Sequence, residues 1–128
     1  MRQELLQRSF DHVMKQGKPS INHNGGVCRY RSADGLSCAA AIFITEYNED
    51  VEGLAWHTLA EIYNYRMEPI AVEESIFVTK VLQRAHDVAA EQYNASNPFL
   101  TVYKEELRKW VKVWNHEKND NIQLPEGF

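Results

Sequence analysis

The chain has few of the features that announce a function. It carries two cysteines in 128 residues, too few for a disulfide framework. The opening Met1-Arg2-Gln3-Glu4-Leu5-Leu6-Gln7-Arg8 has no apolar core of an export signal, so both cysteines are expected as thiols in a reducing cytoplasm. No apolar run approaches the ~18 residues of a membrane span. There is no Gly-rich phosphate loop, Gly-x-Ser-x-Gly elbow or histidine-rich zinc helix, which removes the commonest nucleotide, hydrolase and metalloprotease signatures. Carboxylates are too dispersed for a DNA mimic, as the isolated pairs Glu73-Glu74 and Glu105-Glu106 show. The 14 basic and 18 acidic residues leave a net charge of −4, against a general binder of phosphate backbones.

What is present is an ordinary globular composition, 44% hydrophobic and 25% charged, in a chain long enough to bury one core without staples. One domain is expected over residues 1–116, with 117–128 a loosely ordered tail rich in Asn, Asp, Pro and Gly. Leu6, Phe10, Val13 and Met14 recur at helical spacing over residues 2–16, and Gly17-Lys18-Pro19-Ser20 ends that helix. A short helix is expected over residues 54–65, ended by Pro69. Residues 72–93 are the longest periodic segment: Phe77, Val81, Ala85 and Val88 form one row, with Val78, Leu82 and Ala89 beside it. Ser96-Asn97-Pro98 reads as the start of a last helix, whose apolar face carries Leu100, Tyr103, Leu107, Trp110, Val111 and Trp114.

Both cysteines fall in the most distinctive stretch, residues 26–44. It reads as a β-hairpin, Val27 to Ser32 and Leu36 to Ala40, turning on Ala33-Asp34-Gly35. A two-residue type I′ loop would pair Ala33 with Leu36. A three-residue loop with Gly35 left-handed pairs Ser32 with Leu36, and Ser32 suits the first position of that turn. Ala39 to Ile44 either prolongs the strand or opens a short buried helix, and Thr45 to Gly53 is an exposed acidic loop around Tyr47. The expected fold is α+β, a small β-hairpin packed on about four α-helices.

Several residues have the right chemistry for a site. Arg29 and Arg31 flank Tyr30, so a core-facing Tyr30 sends both guanidinium groups outward, where they can grip carboxylates or phosphates. Charged protection of a strand edge is the plainer account. With Asp34 at the turn and Tyr47 and Glu52 in the acidic loop, they form the expected binding surface. Cys28, Cys38, His23 and His57 are possible zinc ligands, although the spacing lacks the usual knuckle. His86-Asp87 has the look of a metal-binding pair, but no second His/Asp cluster accompanies it. Lys104, Arg108, Lys109 and Lys112 line the last helix beside two tryptophans and are the best case for nucleic acid, diluted by Glu105 and Glu106. No cofactor is implied, and no catalytic set can be assembled.

The run Cys28-x-Tyr30-Arg31-x-x-Asp34-Gly35-Leu36-x-Cys38-Ala39, with Leu82-Gln83-x-x-His86-Asp87, resembles a set of small bacteriophage and prophage proteins. In these, a C-x-Y-R-x-x-D-G-L-x-C-A segment precedes an acidic Tyr/Glu-Gly stretch, matched by Tyr47 and Glu52-Gly53, and a helix with L-Q-x-x-H-D follows. The resemblance covers roughly residues 8–90. It departs at Ser32, where the family often has Gly, and in the Ala run after Cys38. It implies no activity, but it does imply a phage accessory protein that binds a host protein, for host takeover or anti-defence, in the bacterial cytosol.

Overall fold

Helical apolar spacing does what the sequence leads one to expect at the start of the chain. In the structure, a computed structural model, Arg2–Gln16 forms helix α1 and buries Leu5, Leu6, Phe10 and Val13. Residues 1–21 and 29–128 are described. Gly17 ends α1 in the left-handed region (φ 73°) with its N–H returned to the Val13 carbonyl, a conformation glycine adopts without steric penalty. Short 3-10 turns follow at Ala41–Phe43 and Glu49–Val51, then α2 (Trp56–Ile62) and a third turn at Asn64–Arg66.

The long periodic segment is helical but not uniform. It comprises α3 (Pro69–Glu73), α4 (Ser75–Phe77), a π-helical stretch Val78–Gln83 and α5 (Arg84–Gln92). Pro69 does not break a helix; it sits in the first turn of α3, where its missing N–H has no partner to lose. The last helix, α6, spans Phe99–Lys118. Pro98 precedes it without a side-chain cap, and the Asn94 side chain instead accepts from the N–H groups of Ser96 and Asn97. The run from α4 to α5 is antiparallel to α6, since Phe99 at the start of α6 meets the ring of His86 on α5 while Trp114, near its other end, meets Phe77 of α4 edge-on at 5.1 Å.

The expectation of an α+β fold is overturned. The chain is mostly helical (61%), and the described residues contain no β-strand or sheet. The turn chemistry itself forms: Gly35 is left-handed (φ 80°), its N–H reaches the Ser32 carbonyl at 3.1 Å, and the Ser32 N–H donates to Leu36 at 2.8 Å. Pairing then stops at one isolated bridge, Arg31 with Ser37. The next rung would pair Tyr30 with Cys38, and only half of it forms: the Cys38 N–H reaches the Tyr30 carbonyl at 2.9 Å, while the Tyr30 N–H goes to Glu52. The outer edges are occupied as well. Gln16 bonds both the N–H and the carbonyl of Ser37 at 2.9 Å, and Ser9 donates to the Ala39 carbonyl at 2.8 Å. On the other side the Glu52 carboxylate accepts from the N–H groups of Tyr30 and Arg31. Side chains take the places that neighbouring strands would fill, and the chain then coils into the turn Ala41–Phe43.

The segment after α6, expected to be loose, folds back on α1. Gln3 exchanges two hydrogen bonds with the backbone of Gln123, and Gln7 two with Glu126. Phe128 packs 5.9 Å from the Phe10 ring. Among the described residues no helix is long and apolar enough to cross a membrane.

Candidate binding cleft

Four of the five expected surface residues meet in one network. Arg29 reaches both carboxylate oxygens of Glu49 at 2.7 Å through Nη2, and its Nε donates to the Arg31 carbonyl at 3.1 Å. The Arg31 guanidinium lies 4.5 Å over the Tyr47 ring, and the Tyr47 hydroxyl donates to Glu52. Desolvation and that carboxylate push the Tyr47 phenol up to about 12. Glu52 is the node: its nearly buried carboxylate takes two backbone N–H groups and one hydroxyl, charge-assisted bonds of the stronger kind. It therefore orders the surface more than it displays charge. Asp34 is exposed at the tip of the turn. Tyr30 is buried as expected, donating its hydroxyl to the Leu54 carbonyl at 2.6 Å and packing on Trp56.

Beside this network lies a cleft of about 600 Å³. One wall is the loop of residues 52–56 with Arg29; the other is the polar face of the helical run from Thr79 to Glu91. That face begins on the π-helical stretch Val78–Gln83, a local departure that recurs at functional sites. Behind it, Thr79 Oγ1 and Gln83 Oε1 are buried without hydrogen-bond partners. The sequence reading missed this wall. Its one signal was the polar row Thr79, Gln83, Asp87, Glu91 at four-residue spacing, opposite the apolar rows.

The other candidates separate. Cys38 is fully buried, and desolvation pushes its thiol up to about 12, so it is neither a nucleophile nor a ready thiolate at neutral pH. His57 is exposed on α2, while Cys28 and His23 lie outside the described residues. Among the described residues, no three His, Cys, Asp or Glu side chains gather as a metal site. His86 is wholly buried between two partners. Its Nε2 accepts the Ser20 N–H at 3.3 Å, so the proton sits on Nδ1, facing Asp87 at 3.0 Å. With both nitrogens engaged, His86 ties α5 to the chain leaving α1. His12 Nε2 lies 3.1 Å from the Ser37 carbonyl and 3.2 Å from its hydroxyl. The carbonyl only accepts, so Nε2 carries a proton there and does not act as a base toward the serine.

Three of the four candidate cations of α6 are turned onto aromatic rings of the same chain. Lys104 and Arg108 lie 5.1 and 4.9 Å from the Phe128 ring, and Lys109 lies 4.9 Å from Trp110.

No family model matches the chain, and neither the curated proteins nor the solved structures include a match. The likeness to small phage proteins stands on its motif residues alone.

Proposed function

We propose that this chain works by binding another protein, through the surface of Arg29, Arg31, Asp34, Tyr47 and Glu52 and the cleft beside it. The observation that carries this reading is the linked network of Arg29, Glu49, Arg31, Tyr47 and Glu52. It holds an exposed Arg31 over the half-buried Tyr47 ring on a surface ordered before any partner arrives. Arg and Tyr are favoured anchors of interfaces, and preordering lowers the entropy lost on association. Binding in this way blocks or redirects the partner without chemistry of its own. The motif resemblance makes the partner a host protein of a bacteriophage, in host takeover or anti-defence.

The test is capture from a bacterial lysate by the full chain beside an Arg31→Glu/Asp34→Lys variant, followed by titration of the purified partner. The expected result is one protein retained by the wild type and lost by the variant, with the melting temperature unchanged. Identical retention by both, or no specific retention, overturns the reading.

A further inference from the structure

Most charges along the cleft are already matched within the chain. Arg29 is held by Glu49, Arg84 lies 4.4 Å over the Trp110 ring, and Glu52 is filled by backbone N–H groups and Tyr47. Asp87 accepts from Gln83 and faces His86. Two side chains differ. Lys80 and Glu91 are exposed and line the cleft, and neither makes an ion pair or hydrogen bond with a described residue. They stand near opposite ends of the helical wall, about 16 Å apart at the rise of a helix. Glu91 also sits in the last turn of α5, where a carboxylate faces the negative end of the helix dipole and is unfavourable within the chain itself. Between them, Leu54 and Val88 supply half-buried apolar surface over Trp56.

We infer that this cleft binds a segment of the partner protein, acidic where it meets Lys80, apolar in the middle and basic where it meets Glu91. The inference rests on the protein-binding reading above and states what the partner presents. The charge spacing is that of about five residues of extended chain at ~3.3 Å each, or about eleven of a helix at ~1.5 Å each. Opposite charges at the two ends also set the direction in which the segment lies, which an apolar groove alone does not do.

The experiment presents the full chain to a library of short random peptides and sequences those enriched. The wild type is expected to enrich an apolar pattern with one acidic and one basic flank in fixed order. Lys80→Glu/Glu91→Lys is expected to reverse that order. Both positions are exposed, and far-UV circular dichroism confirms the fold of the variant. A Lys80→Gln/Glu91→Gln variant is expected to keep the apolar preference and lose both flanks. No common pattern, or one unchanged by the charge swap, overturns the inference. A dimer that dissociates in the swapped variant also overturns it, assigning the groove to a second copy of the chain. If Arg31→Glu/Asp34→Lys still abolishes partner capture while no peptide pattern emerges, protein binding stands and only the groove assignment falls.

Discussion

In the helical body, apolar side chains meet one another: Phe10 lies 6.4 Å from Tyr103, Phe77 meets Trp114 edge-on, and Leu82 and Leu107 are sealed from solvent. The backbone there satisfies itself within each helix, so the side chains are free to pack. Between residues 29 and 68 the division of labour is reversed. Outside α2 that backbone turns every few residues, and several of its polar groups are met by side chains distant in sequence: Gln16 on Ser37, Glu52 on Tyr30 and Arg31, Arg66 on the Glu46 carbonyl. One region is sensitive to lost volume and the other to lost hydrogen bonds, and the proposed binding surface is built on the second.

The sharpest way to break this contrast is at Phe77, fully buried beneath Trp114. Phe77→Ala is expected to destabilise the whole chain by about 3–5 kcal/mol, read by denaturant unfolding. A loss below about 1 kcal/mol would deny the packing account of the body. Glu52→Ala comes next, at about 2–3 kcal/mol, because it leaves two backbone N–H groups and a phenol without their acceptor. Its signature is local: hydrogen exchange should quicken at Tyr30 and Arg31 while α5 and α6 stay protected, and uniform quickening would erase the distinction between the two regions. Gln16→Ala removes both bonds to Ser37 and is expected to cost about 1–2 kcal/mol. Exchange at Ser37 should rise with it, or Gln16 is not what caps that edge.

A pH titration sharpens the comparison further. Arg8 pairs with both oxygens of Glu68 at 2.7–2.8 Å and holds that carboxyl below its ordinary value of 4.5. A depressed folded-state value means the contribution is fully present above the unfolded value and is lost as pH falls through the folded one. Glu68→Gln should therefore flatten the acid limb of the stability curve, and an unchanged limb would show that the pair adds nothing. Arg66, gripping both oxygens of Asp50, depresses that carboxyl in the same sense. The smallest effect is expected at Arg31. Arg31→Glu gives up the stack of an exposed side chain on Tyr47 and should move stability by no more than about 0.5 kcal/mol, while partner capture falls.

Legibility from sequence followed the same boundary. The periodicity of Leu6, Phe10 and Val13 predicted α1, and the spacing of Tyr103, Leu107, Val111 and Trp114 predicted α6. The left-handed Gly35 and its Ser32–Leu36 pairing were also legible, because a turn depends on neighbours in sequence. The strands flanking that turn were misread. Their alternation was real, with Tyr30 inward and Arg31 outward, but a ladder also needs facing backbone groups to reach each other. Glu52, distant in sequence, takes the Tyr30 N–H that the rung to Cys38 requires, and Gln16 occupies the outer edge at Ser37.

For the candidate site, chemistry-bearing residue types pointed to Arg29, Arg31, Tyr47 and Glu52, which the fold gathers. They gave no warning that Glu52 and Arg29 would be occupied by internal partners. Lys80 and Glu91 drew no notice, since an exposed charge on a helix is ordinary until an opposing wall stands across from it.

The sequence by itself determined which segments coil, where α1 stops and how the Asp34-Gly35 turn is made, because these follow from contacts within a few residues. The tertiary structure alone decided that no sheet forms among the described residues, that the final segment docks on α1, and that a cleft opens between residues 52–56 and the α5 wall. Each of these depends on a hydrogen bond or a packed surface joining residues far apart along the chain, and local spacing carries no record of such partners.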